Sequence, residues 1–235
     1  MRAQIPAPDR LIFAMDVPEP DQARVLAQRL GDAVTFYKLG LELMMAGGYF
    51  ELIEWLVERN KKVFADLKFF DVPATVGRSV GRLASHGVTF ATVHGNQAIM
   101  EAAAENKADV KILAVTALTS LDRGDLDDLG FQCDVRELVL SRARRALEAG
   151  CDGVIASGLE LPSIRAAIDD RLLVVTPGIR PVENRPADDQ KRVVTVEQAF
   201  KNGADFIVVG RPIRDADDPR QAAEALQATI ASLFA

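Results

Sequence analysis

Apolar residues fall along this chain in eight short, nearly unbroken runs, each followed by a longer stretch of mixed polarity. The runs are LIFAMD (11–16), VTFYKLG (34–40), KVFADLK (62–68), VTFATVH (88–94), VKILAVTAL (110–118), GVIAS (153–157), LLVVTPG (172–178) and FIVVG (206–210). They are short and rich in β-branched residues, which marks them as strands. Their apolarity is continuous rather than alternating, as expected of parallel strands covered on both faces. The stretches 21–31, 49–60, 75–86, 134–149 and 217–233 carry helical spacing. In 49–60, Leu52, Ile53, Leu56 and Val57 share one face.

Eight strands alternating with helices or loops in 235 residues predict an α/β fold, a single (β/α)8 barrel forming one domain over 1–235. A doubly wound sheet usually has a glycine-rich turn after its first strand. Here that strand ends AMDVPEP.

Polar residues then break the apolar pattern at one recurring place, the ends of the strands. Asp16, Lys38, Asp66, Lys68 and His94 stand there, with Thr119 just past the fifth strand and Arg211 past the eighth. A parallel barrel gathers the C-terminal ends of its strands on one face, where such folds carry their active sites. Residues distant in sequence thus ring one mouth.

The segment FADLKFFDVPAT (64–75) is the richest in chemistry. Asp66 and Lys68 are two apart, so on an extended strand they project to the same side. Opposite charges at the end of an apolar strand are costly to bury unless paired. Both a structural ion pair and a catalytic pair fit that pattern. Asp71 fits the same network, a subunit contact or a helix start, and Pro73 and Thr75 fit the first turn of a helix. Asp16 and Lys38 end neighbouring strands and suit either mutual pairing or sugar hydroxyls. His94 has no second histidine nearby to form a metal cluster and reads as a structural residue.

Towards the C-terminus, TPGIRP (176–181) leads into the polar stretch VENRPADDQKR, too long for a routine turn and expected to be a functional loop. Gly210-Arg211 follows the last strand. The loops after strands seven and eight of barrels frequently hold a phosphate, and the guanidinium of an arginine matches phosphate oxygens.

Composition narrows the class. A formal net charge of −6 argues against a nucleic-acid partner, while leaving room for a small anion held by local cations. The two cysteines, Cys133 and Cys151, form neither a metal-type pair nor a disulfide framework. No run approaches the ~18 apolar residues of a membrane span, and MRAQIPAPDR lacks the apolar core of a signal peptide, so a cytoplasmic protein is expected.

Together these segments resemble the orotidine 5′-phosphate decarboxylases over nearly the whole chain, from AMDVP to GRPI. DLKFFDVPAT is similar to that family's DxKxxDxPxT signature, and YKLG, LTS, TPGIRP, ADDQKR and VGRPI follow in the family's order. The resemblance implies decarboxylation of orotidine 5′-monophosphate to UMP, without cofactor or metal. It implies Lys68 as the acid that protonates carbon 6, Asp66 facing the substrate carboxylate, and Asp71 supplied by a partner subunit. Asp16, Lys38 and Thr75 would contact the ribose, and Thr119, with Ser120, the pyrimidine edge. Arg180, Gln190, Gly210 and Arg211 would hold the phosphate, in a homodimer with shared sites. Two rivals stay open on sequence: a magnesium-dependent lyase acting on a sugar phosphate, and a non-catalytic nucleotide-binding barrel.

Overall fold

A strand that is apolar on both faces must be buried on both, and a closed barrel wrapped in helices achieves this without a free sheet edge. In the computed structural model, which describes residues 5–180 and 193–234, each of the eight apolar runs becomes one parallel strand. They are β1 (Leu11–Ala14), β2 (Phe36–Leu39), β3 (Lys62–Phe69), β4 (Phe90–His94), β5 (Lys111–Val115), β6 (Gly153–Ile155), β7 (Leu173–Thr176) and β8 (Phe206–Val209). Each pairs with its neighbour in sequence, and β8 pairs with β1 through Leu11 and Ile207 to close the barrel.

The five helical stretches appear as α1 (Pro20–Leu30), α3 (Tyr49–Val57), α4 (Pro73–Ala84), α7 (Val135–Glu148) and α11 (Pro219–Leu233). Six further α-helices stand among the described residues. They are α2 (Leu41–Ala46), α5 (Gln97–Glu105), α6 (Arg123–Asp128), α8 (Leu161–Ala167), α9 (Val196–Lys201) and α10 (Arg211–Arg214). No helix among the described residues is long and apolar enough to cross a membrane.

Alternate strand residues sort into two cores. Those pointing outwards, such as Phe13, Tyr37, Val63 and Ile112, pack under the helices in one continuous cluster. Those pointing inwards form a smaller cluster at the base of the barrel, in which Phe36, Phe64, Phe90 and Phe206 meet. Their ring centroids lie 5.0 Å apart for Phe36–Phe90 and 5.1 Å for Phe90–Phe206, the latter edge to face. This aromatic plug fills the lower barrel among the described residues.

Candidate active site

Above the plug the inward positions turn polar and form a chain of alternating charge. The Lys38 ammonium lies 3.1 Å from Asp16 Oδ1 and 3.5 Å from Asp66 Oδ2, and Lys68 Nζ lies 2.9 Å from Asp66 Oδ1. Asp16, Lys38, Asp66 and Lys68 come from three successive strand ends, so the parallel pairing of β1, β2 and β3, not local sequence, builds the row. The side chains of Lys38 and Asp66 are each only 12% exposed. Burial alone would neutralise Asp66, but the pull of Lys38 and then of Lys68 outweighs it and holds the carboxyl below its ordinary range. Burial likewise opposes the charge on Lys38, and Asp66 and Asp16 reverse that effect and raise its pKa. Lys38 and Asp66 are thus kept ionised by their neighbours in the row.

Asp66 and Lys68 do not sit on a regular strand. The register between β3 and β4 runs Ala65 opposite Ala91 and then Phe69 opposite Val93, so Asp66, Leu67 and Lys68 all face the single residue Thr92. This bulge takes Lys68 into the left-handed region, at φ 48°, a conformation that non-glycine residues rarely adopt and that costs of order 1–3 kcal/mol. Such kinks re-aim side chains next to functional sites. Here both charged groups still enter the lumen, while Leu67 joins the outer core.

The row lines a cavity of about 280 Å³ at the mouth. Of the candidates from sequence, Asp16, Lys38, Asp66, Lys68, Thr119, Arg180, Gly210 and Arg211 all border it, together with Ser120. Ile155, Val115 and Val208 add apolar surface to its lining. Gly210 allows close approach: a Cβ there would stand 3.3 Å from that of Ala14 and 3.6 Å from Asp16 Oδ2. Arg211 opens α10, which is a single turn with Pro212 at its start. So short a helix has little dipole, and proline brings no N–H, which leaves the Arg211 guanidinium as the group at this corner suited to an anion.

Two candidates stand elsewhere. Asp71 lies beyond the end of β3, exposed, with Oδ1 accepting from the backbone N–H of Val72 at 2.6 Å. It makes no ion pair among the described residues, and α4 has no side-chain cap, so neither an intrachain network nor helix capping accounts for it. Thr75 is in the first turn of α4, where its carbonyl accepts from the Ser79 hydroxyl; it does not cap the helix. Pro73 does occupy the helix start. Gln190 and the polar stretch after residue 180 lie outside the described residues.

His94 is not the satisfied structural residue expected. Its Nδ1 is buried and has no hydrogen-bond partner among the described residues, and the ring packs 4.8 Å from that of Phe70. Burial, and then the charge of Arg142, push its pKa below the ordinary histidine value. Cys151 is a buried thiol pushed up to about 12 by desolvation, which leaves it inert.

Sequence reasoning passed over one residue at this centre. Thr92, fully buried, lies on β4 directly against Asp66 and Lys68. In sequence it is one more β-branched residue of an apolar run, with nothing to mark it.

The family signature "Orotidine 5′-phosphate decarboxylase / HUMPS family" matches residues 9–226. An orotidine 5′-phosphate decarboxylase of Methylococcus capsulatus (strain Bath) is 69% identical over 231 residues, covering 98% of this chain and 96% of the relative. One of Stenotrophomonas maltophilia is 52% identical, with 100% and 98% covered. The crystal structure of orotidine 5′-phosphate decarboxylase from Lactobacillus acidophilus superposes with a TM-score of 0.85 at 35% identity, covering 94% of this chain and 99% of that one. With a signature spanning most of its length and relatives matched end to end, the chain belongs to the orotidine 5′-phosphate decarboxylase / HUMPS family.

Proposed function

We propose that this carboxy-lyase converts orotidine 5′-monophosphate to UMP and carbon dioxide with Lys68 as the proton donor, in a single catalytic domain of the cytoplasm. The observation that carries the reading is the Asp16–Lys38–Asp66–Lys68 row, which ends on an ammonium beside an apolar-walled cavity. Loss of carbon dioxide from carbon 6 breaks a carbon–carbon bond and leaves its electron pair in the ring plane, where the π system cannot spread it. Stabilisation must then come from the protein's electrostatics. Lys68 stands one-third exposed, with Asp66 as its ion-pair partner, so donors remain to face the cavity. As the bond breaks, the ammonium meets the growing negative charge and passes a proton to carbon 6, becoming an amine; a proton from water later restores the ammonium.

Asp66 faces the departing carboxylate in this reading. Two like charges ~4 Å apart at an effective dielectric near 20 repel by about 4 kcal/mol, roughly a thousandfold in rate. That helps, but the larger share falls to the ammonium, which interacts most strongly with the transition state. Asp16, Lys38 and Thr75 serve the ribose, Thr119 and Ser120 the pyrimidine edge, and Arg180, Gln190, Gly210 and Arg211 the phosphate. The carboxylates of the row are already engaged by ammonium groups, which compete with any divalent cation and favour a reaction without metal or cofactor.

Asp71 acts from a partner subunit. It is flanked by Phe70 and Val72, 62% and 63% exposed, an apolar pair around an acid at the rim of the mouth. A second copy covering that rim would bury the pair and carry its own Asp71 towards the neighbouring Lys68, giving a homodimer with shared sites. Lys68→Ala and Asp71→Ala are then each inactive, but mixing them and allowing subunits to exchange regains roughly a quarter of wild-type activity, since hybrid dimers carry one intact site. No recovery after demonstrated exchange would place Asp71 outside the site.

The overall reading is tested by incubating the purified protein with orotidylate and excess chelator while following pyrimidine absorbance and released carbon dioxide. Undiminished turnover is expected. Activity lost to the chelator and restored by magnesium would point instead to metal-assisted chemistry.

A further inference from the structure

We propose that Thr92 is a positioning residue for the decarboxylation, fixing Asp66 and the bulged backbone at Lys68 through one hydroxyl. The inference rests on the reading of Lys68 as proton donor and adds a residue that does not itself border the cavity.

The Thr92 oxygen makes two hydrogen bonds, each 2.9 Å long. It accepts from the backbone N–H of Lys68 and donates to Asp66 Oδ1. A hydroxyl has one proton, and the peptide N–H of Lys68 has no acceptor capacity, so the proton must point at the carboxylate. One atom therefore sets both members of the catalytic ion pair. It also fills the gap left by the bulge: three residues of β3 face this one residue of β4, and the threonine oxygen stands in for a ladder carbonyl. Without it, the left-handed turn at Lys68 would keep its strain and lose the bond that offsets it.

Two features fit a tuned position. Thr92 is fully buried and β-branched, so its χ1 is stiff and the hydroxyl does not wander. Asp66 Oδ1 is also the oxygen that meets Lys68 Nζ, so the hydroxyl and the ammonium converge on the same atom and fix its place in the lumen. Proton delivery depends on the ammonium lying within a few tenths of an ångström of its productive place.

Thr92→Val keeps the shape and removes the hydroxyl. It is expected to lower kcat on the order of 10- to 100-fold, the loss attached to a buried hydrogen bond to a charged group, while KM and UMP affinity stay near wild type. Thr92→Ser restores the hydroxyl and most of the rate, less completely because serine is freer at χ1. If the valine protein fails to fold, Thr92→Ala against Thr92→Ser supplies the same comparison, with thermal melts run on each. Wild-type kcat without the hydroxyl would overturn the proposal. So would equal losses of kcat and UMP affinity that serine fails to rescue, since these would mark a purely structural role. Lys68→Ala, measured alongside, separates the two readings. If that variant stays active the proton-donor assignment fails; if it is dead while Thr92→Val is fully active, only the present inference does.

Discussion

Lys68→Ala will cost about 10⁴-fold or more in kcat, while the folded protein retains much of its affinity for UMP. Two losses combine. An ammonium ~4 Å from a localised anion at an effective dielectric near 20 is worth about 4 kcal/mol, roughly a thousandfold. Positioned proton transfer contributes a further 10²- to 10⁴-fold by typical values. The two act through one atom and do not simply multiply. UMP has no carboxylate at carbon 6, so it reports binding by ribose, base and phosphate contacts alone. Single-turnover measurement of carbon dioxide release, paired with calorimetric titration of UMP, checks both halves. Turnover at the wild-type rate would remove Lys68 from the chemistry. Asp66 in that variant remains paired with Lys38 at 3.5 Å, so the carboxylate is not left as an uncompensated buried charge and the fold should survive.

Arg211→Ala is expected to produce a loss of different character. A charge-assisted hydrogen bond to phosphate contributes about 1.5–3 kcal/mol, which is roughly 10- to 150-fold in kcat/KM. The loss should fall on orotidylate and largely spare the phosphate-free nucleoside, because Arg211 borders the cavity at the corner opened by Gly210, away from the Lys68 end of the row. Comparing kcat/KM for the two substrates in wild type and variant forms a thermodynamic cycle. Equal losses for both would mean that Arg211 supports the site generally and does not read the phosphate. A selective loss on orotidylate would also link distant binding to chemistry, since phosphate held at one side of the mouth can help drive exclusion of water from the other.

The eight strands could be read from the chain because double-sided burial leaves a local trace, an unbroken apolar run. Convergence of Asp16, Lys38, Asp66, Lys68 and Arg211 on one mouth then followed from the parallel direction of those strands. The bulge in β3 left no such trace. A spacing of two between Asp66 and Lys68 reads as regular strand, and only the register against Ala91 and Val93 shows that the strand is overlong there. Thr92 was invisible for a related reason: its hydroxyl matters through a partner 26 positions away, and locally it fits an apolar run. The helices over Leu161–Ala167 and Val196–Lys201 are too short to develop a clear stripe. For Asp71 and Thr75 the sequence shows motif membership, but nothing local marks that they stand away from the cavity of their own chain.

The seam between β1 and β8 has a consequence for how activity arises during folding. Asp16 follows the first strand and Arg211 the last, and the edges meet only when the chain is nearly complete; Arg214 then clasps the Asp16 carbonyl at 2.8 Å, and Arg10 that of Asp205 at 3.1 Å. The charged row from Asp16 to Lys68 needs only the pairing of the first three strands, but Val208, Gly210 and Arg211 reach its open end across the seam. A walled cavity, unlike the row, is therefore a property of the finished ring.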